Sequence, residues 1–92
     1  MIVRLVKMTF KDSEIDNFKS IFKIAQPKIA EMKGCLKVDL RQDINQPEIF
    51  FTISHWENED GLENYRKSQL FINTWKQVKP LFITKAEAWS LT

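Results

Sequence analysis

Two segments of this chain, residues 1–10 and 48–56, are apolar on both faces when drawn as extended strands, and this constrains the fold more than any other feature. In the first, Ile2, Val6, Met8 and Phe10 alternate with Val3 and Leu5. In the second, Ile49, Phe51, Ile53 and His55 alternate with Phe50, Thr52, Ser54 and Trp56. Each strand needs apolar cover on two sides. Either the rest of the chain supplies it or another molecule does.

The remaining segments define what cover is available. Ser13-Glu14-Ile15-Asp16 reads as a capping box that opens a helix over residues 13–33. Its stripe is Ile15, Phe18, Ile21, Phe22, Ala25, Ile29 and Met32, a length of ~31 Å at the rise of an α-helix. Pro27 lies within the stripe without disturbing its phase, which predicts a kink and not a break, and Gly34 is placed to cap the end in the left-handed conformation. Residues 35–43 put Leu36, Val38 and Leu40 on one face and Lys37, Asp39 and Arg41 on the other, the pattern of an edge strand with one wet side. Ile44-Asn45-Gln46-Pro47 turns the chain back into the aromatic strand, making a hairpin of residues 35–56. Asn58 caps a short helix through Leu62 and Tyr65 to about Lys67. Ser68 opens a second segment with Phe71, Trp75 and Val78 on one stripe, and Pro80 stops it. Residues 81–92, with Phe82, Ile83 and Trp89, read as a last strand.

The predicted order is β-α-β-β-α-β, an α+β arrangement. Right-handed crossovers make it a ferredoxin-like plait, a four-stranded antiparallel sheet with the helices on one face. Those helices cover only one side of the two doubly apolar strands. The other side, left in water, exceeds the patch a soluble monomer tolerates. A second copy of the sheet packed face to face satisfies it, so the expected assembly is an isologous homodimer, a dimeric α/β barrel.

At 92 residues the chain forms a single domain spanning 1–92. Its 14 basic and 12 acidic residues are interspersed, without the basic stripe of a nucleic-acid binder; Tyr65-Arg66-Lys67 sits among Glu59, Asp60 and Glu63 and reads as a solvated helix face. No signal peptide or membrane span is expected, since Arg4 and Lys7 interrupt the apolar N-terminus and no apolar run approaches the ~20 residues of a span. One cysteine, Cys35, excludes an internal disulfide and fits a cytoplasmic protein.

The run from Phe50 through His55-Trp56-Glu57, followed by Gly61-Leu62-Glu63-Asn64-Tyr65-Arg66-Lys67-Ser68-Gln69-Leu70-Phe71 and preceded by the Gly34-Cys35 step, resembles the antibiotic-biosynthesis-monooxygenase superfamily over the whole chain. The resemblance implies a dimeric α+β barrel with a ligand cavity between each sheet and its helices. It also implies, from several similar members, oxygenation of small aromatic or quinol-like substrates without metal or flavin. Quinol-oxidising and isomerase-like relatives carry His where this chain has Tyr65, and often where it has Leu70. Haem-degrading relatives carry Trp at the position of Tyr65 and an iron-ligating His at that of Trp75. Neither set is present here.

Against that background, Tyr65 and His55 are the candidate catalytic groups. Tyr65, in phase with Leu62 on the sheet-facing side of its helix, can hydrogen-bond a phenolate or enolate. His55 is the only side chain whose ordinary pKa lies near neutrality and can serve as a base. Trp56, Trp75, Phe71 and Phe51 are the candidate substrate-binding residues of an aromatic slot. Each has a structural alternative: a strand-end histidine, a core tyrosine with a satisfied hydroxyl, plain core aromatics. Arg4 and Lys7 fall on opposite faces of the first strand, and one of them is available to an anionic substrate. A lone His and a lone Cys make no metal site, and Cys35 reads as a small buried hydrophobe. The expected function is a monooxygenase without cofactor acting on a small aromatic, quinol or polyketide-like compound. The alternative is a non-catalytic dimeric protein that binds such a molecule or serves a stress response.

Overall fold

The computed structural model describes residues 1–92, and in it the two doubly apolar strands lie at the centre of one antiparallel sheet. The strands β1 (Ile2–Thr9), β2 (Cys35–Gln42), β3 (Ile49–Trp56) and β4 (Glu87–Leu91) are ordered β2-β3-β1-β4. The helices are α1 (Ile15–Ala30), α2 (Glu59–Arg66) and α3 (Gln69–Val78). This is the ferredoxin-like α+β plait, with the helices on one face.

Register decides which side chains meet the helices. β1 and β3 pair with Arg4 opposite Ser54, Val6 opposite Thr52 and Met8 opposite Phe50. The even-numbered residues of both strands therefore share one face, and Val6, Met8, Phe50, Ser54 and Trp56 are buried there with Phe18, Phe22, Ala25 and Ile29 of α1. Phe10 and Phe18 stack at 4.1 Å, and Phe50 meets Phe18 edge-on at 5.1 Å. Burying each such ring contributes roughly 1.5–3 kcal/mol, so this trio anchors α1 to the sheet. The odd-numbered residues Val3, Leu5, Phe51 and Ile53 form the other face, only partly buried, beside Trp89 (42% exposed) and Leu91 (46%) of β4.

Several boundaries differ from the sequence reading. α1 opens through a 3₁₀ turn over Asp12–Glu14, with Glu14 N–H donating to the Lys11 carbonyl at 2.8 Å and no side chain capping it, so no capping box forms. It runs unbroken through Pro27 but ends at Ala30. Two tight turns, Met32 N–H to the Ile29 carbonyl and Cys35 N–H to the Met32 carbonyl, then bring the chain to the sheet, and Gly34 is left-handed (φ +86°). In β2 a bulge between Cys35 and Lys37 turns Leu36 out of line, leaving it 54% exposed. The last strand is only Glu87–Leu91; Lys79–Leu81 form a 3₁₀ turn, and Phe82 keeps one isolated bridge, to Phe10. The hairpin of β2 and β3, the Asn58 cap of α2 and the Ser68 cap of α3 stand as read.

Candidate functional site

A cavity of about 300 Å³ opens between the helix-side face of the sheet and the helices. Arg4 and Val6 of β1, Thr52 and Ser54 of β3, Tyr65 of α2, and Phe71 and Trp75 of α3 are on its wall. Most of the lining is apolar, the makeup of a site that holds a small organic molecule by shape and orients it with few polar groups.

Tyr65 is held by packing on both sides of its ring. The Asn58 carboxamide accepts from Gly61 N–H at 3.0 Å and fixes the start of α2. Leu62 is buried against the core, and Tyr65, three residues on, faces the same way. Its ring stacks on Trp56 at 5.1 Å with 21° between the planes and meets Phe71 edge-on at 5.2 Å. Ser68 couples the two helices: its hydroxyl donates to the Tyr65 carbonyl at 2.6 Å and accepts from Phe71 N–H at 3.2 Å. The short break between α2 and α3 thus sets Tyr65 and Phe71 relative to each other. No protein group bonds the Tyr65 hydroxyl, whereas burial, with a smaller contribution from nearby Cys35, pushes its pKa up to about 12. At neutral pH it is a donor and not a base.

The polar end of the cavity holds two further groups. Ser54, nearly buried, accepts from Trp56 Nε1 at 2.9 Å, which leaves its own hydroxyl proton to donate. Arg4 Nη1 donates to Ser90 Oγ at 2.9 Å across the β1–β4 pair, so Arg4, and not Lys7, is the cation of β1 on the cavity side. Sequence reasoning missed Ser54 as a polar group of the cavity and read Ser68 only as a helix cap. The even parity it shares with Trp56 would have found Ser54, and the cap position of Ser68 already pointed to its structural half.

Three of the sequence candidates meet in the cavity: Tyr65, Phe71 and Trp75. Two do not. Phe51 and His55 are odd-numbered in β3, opposite Lys7 and Val3, and the sheet itself separates them from Tyr65. His55 cannot take a proton from a molecule held against Tyr65; its Nδ1 is buried on the outer face without a partner. Trp56 is on the right face but fully covered, so it is the floor beneath Tyr65 and not part of the cavity wall. Cys35 is partly buried, which pushes its thiol pKa up and works against nucleophilic use. Nowhere do three or more His, Cys, Asp or Glu side chains gather as a metal site would require. No helix is long and apolar enough to cross a membrane.

Comparison with known proteins agrees with this architecture. No curated protein matches the chain. Among solved structures, one described as an antibiotic biosynthesis monooxygenase superposes with a TM-score of 0.94 at 17% identity, covering 100% of this chain and 97% of the other. A conserved protein from Methanosarcina mazei Go1 superposes at 0.93 with 20% identity, over 99% and 91% of the two chains. A protein from Mycobacterium tuberculosis does so at 0.91 with 13% identity, over 99% and 92%. At these identities the structures establish the fold. Residues 1–77 match the family model described as antibiotic biosynthesis monooxygenase, and the chain belongs to that family.

Proposed function

We propose that this protein is a monooxygenase without cofactor, working as a homodimer in the cytoplasm on a small aromatic, quinol or polyketide-like compound. The observation that carries the reading is the Tyr65 hydroxyl, protonated at neutral pH and unpartnered, on the wall of an apolar cavity. In such chemistry the substrate, once it loses an acidic proton, reduces oxygen itself. In an anthrone the ring methylene becomes a carbonyl, and in a quinol a ring C–H becomes C–OH as the ring reaches the quinone level; in both, one oxygen atom of O2 stays and the other leaves as water, with the substrate supplying all the electrons. The protein has to stabilise the anion and keep bulk water away from it. Tyr65 donates a hydrogen bond to the developing phenolate or enolate, and the Arg4 charge favours the anion. His55 being on the other face, the proton departs to water at the cavity mouth.

A specific feature favours the second reading, a non-catalytic small-molecule-binding protein: no carboxylate or imidazole lines the cavity. Without a base of its own, the protein can oxygenate only substrates that ionise readily. Oxygen uptake with a panel of quinols and anthrones separates the two readings. Tyr65→Phe, which keeps the ring packed on Trp56, is expected to lower the rate by ~10²-fold or more, within the range for loss of a group that acts on the reacting proton or charge, while the melting temperature stays within a degree or so. Absence of uptake across the panel in the natural protein makes binding the correct reading. Uptake unchanged in Tyr65→Phe removes Tyr65 from the site.

A further inference from the structure

We propose that the natural ligand of the cavity carries a carboxylate, and that Arg4 is the residue that selects it. The inference rests on the reading of this cavity as the ligand site, and it adds the charge class of the molecule. Arg4 projects from a central strand toward the helices, between Ser54 of β3 and Ser90 of β4, and is on the cavity wall. The two ion pairs of the protein, Lys37–Asp39 and Arg66–Glu63, leave it without a carboxylate of its own. Its one protein partner is the neutral Ser90 hydroxyl, which uses one of five N–H donors and also tethers the group, so the rest of the fork is held open.

The partly exposed guanidinium has no counter-ion, and an anion entering the cavity can replace the water on its open side. Burial and the neighbouring Arg66 both oppose its charge, and Glu63, already engaged by Arg66, only partly offsets them. Of the other cations on the wall, Arg66 is held by Glu63 at 2.9 Å, and Lys79 is exposed and hydrated. The planar fork matches a carboxylate through two parallel hydrogen bonds. A phosphate dianion brings a second charge, and the other two cations on the wall are already engaged, Arg66 by Glu63 and Lys79 by water. The volume, about 300 Å³, stands at the lower end of the range of roughly 300–1,000 Å³ for small-molecule sites. A mono- or bicyclic aromatic acid fits its size and pairs with the open fork of Arg4.

The test compares two probes of nearly equal shape, 2-naphthoate, an anion near pH 7, and 2-naphthol, neutral there, by calorimetric titration of the full-length protein. The natural protein is expected to bind 2-naphthoate about tenfold or more tighter, the usual scale for a charge-assisted pair. In Arg4→Gln that preference should fall to about twofold or less, with 2-naphthol affinity kept; Arg4→Lys, which keeps the charge and loses the fork, should retain only part of the preference. Equal affinities in the natural protein, or binding of neither probe at millimolar concentration, overturn the proposal, and this comparison needs no variant to fold. An unchanged preference in a folded Arg4→Gln overturns it as well. The catalytic reading fails separately: a carboxylate preference without oxygen uptake leaves Arg4 in its role, whereas uptake on neutral quinols with no such preference removes it.

Discussion

Tyr65 shows how one side chain acquires a property that its type does not confer. Its ring is sandwiched between the Trp56 floor and the Phe71 edge, and the same burial holds its hydroxyl protonated up to about pH 12. The ordinary value is 10.0, and each unit is worth about 1.4 kcal/mol. The folded pKa is raised above the unfolded one, so the contribution to stability is intact below pH 10 and is lost as pH rises toward 12. The natural protein should therefore lose on the order of 1–3 kcal/mol more than Tyr65→Phe between those limits. Chemical denaturation of both across that range measures it, since the two chains differ only in that hydroxyl; parallel curves would rule the burial account out. Tyr65, Phe71 and Trp75 were legible because helical phase ties them to Leu62 and Val78. His55 and Phe51 failed on parity: in a strand, they and Trp56 point to opposite sides, so all three could never line one cavity. Which side carries the helices is a tertiary fact, and the periodicity of a doubly apolar strand is silent on it.

Between elements, Gly34 and Gly61 bring two backbones close together. Gly34 follows α1 in the left-handed region at φ +86°, and a Cβ on it would be 3.3 Å from Gly61 Cα, in the first turn of α2. Glu57 N–H donates to the Gly34 carbonyl at 2.8 Å, so the junction between β3 and α2 is clamped to the start of β2. Gly34→Ala meets both penalties, a left-handed alanine at about 1–2 kcal/mol and a backbone that must retreat. A loss of ~2 kcal/mol is expected in denaturation, with weaker ligand binding as α2 and Tyr65 shift; a variant as stable as the natural chain would refute the clamp. Pro27 runs the other way. It is exposed within α1 and withholds a helical N–H, so Pro27→Ala should stabilise by ~1–2 kcal/mol, less than the full proline penalty because the unfolded chain also gains freedom. Element order and type were legible throughout, because each helix has an apolar stripe and the Asn58 and Ser68 caps announce themselves. The end of α1 and the length of β4 were not. The turns after Ala30 answer to where Cys35 must join Trp56, and residues 82–86 begin apolar with Phe82 and Ile83 yet make only the bridge of Phe82 to Phe10 and the bond from Ile83 N–H to the Thr9 carbonyl.

For the whole molecule, the surface is larger than its mass accounts for. A monomeric protein of 10.9 kDa exposes about 5,600 Å² by the usual scaling, against 6009 Å² here. Part of the apolar surface lies on the outer sheet face. Leu5 sits at the middle of the outer sheet face, opposite Ile53 on one side and Trp89 on the other, with Val3, Phe51 and Leu91 nearby, and every residue of β4 is exposed. A second sheet laid on this face about a two-fold axis buries the same residues twice and closes a barrel. Light scattering on a sizing column should give twice 10.9 kDa at micromolar concentration, and the melting temperature should climb with protein concentration because association is linked to folding. Leu5→Lys places two charges in the centre of that interface while costing the lone sheet little. It should run at the chain mass and melt at a temperature independent of concentration, or not fold at all if the monomer is unstable by itself. The natural protein decides the matter in either case: a fixed chain mass with concentration-independent melting would mean that the outer face is covered by something other than a second copy, or by nothing.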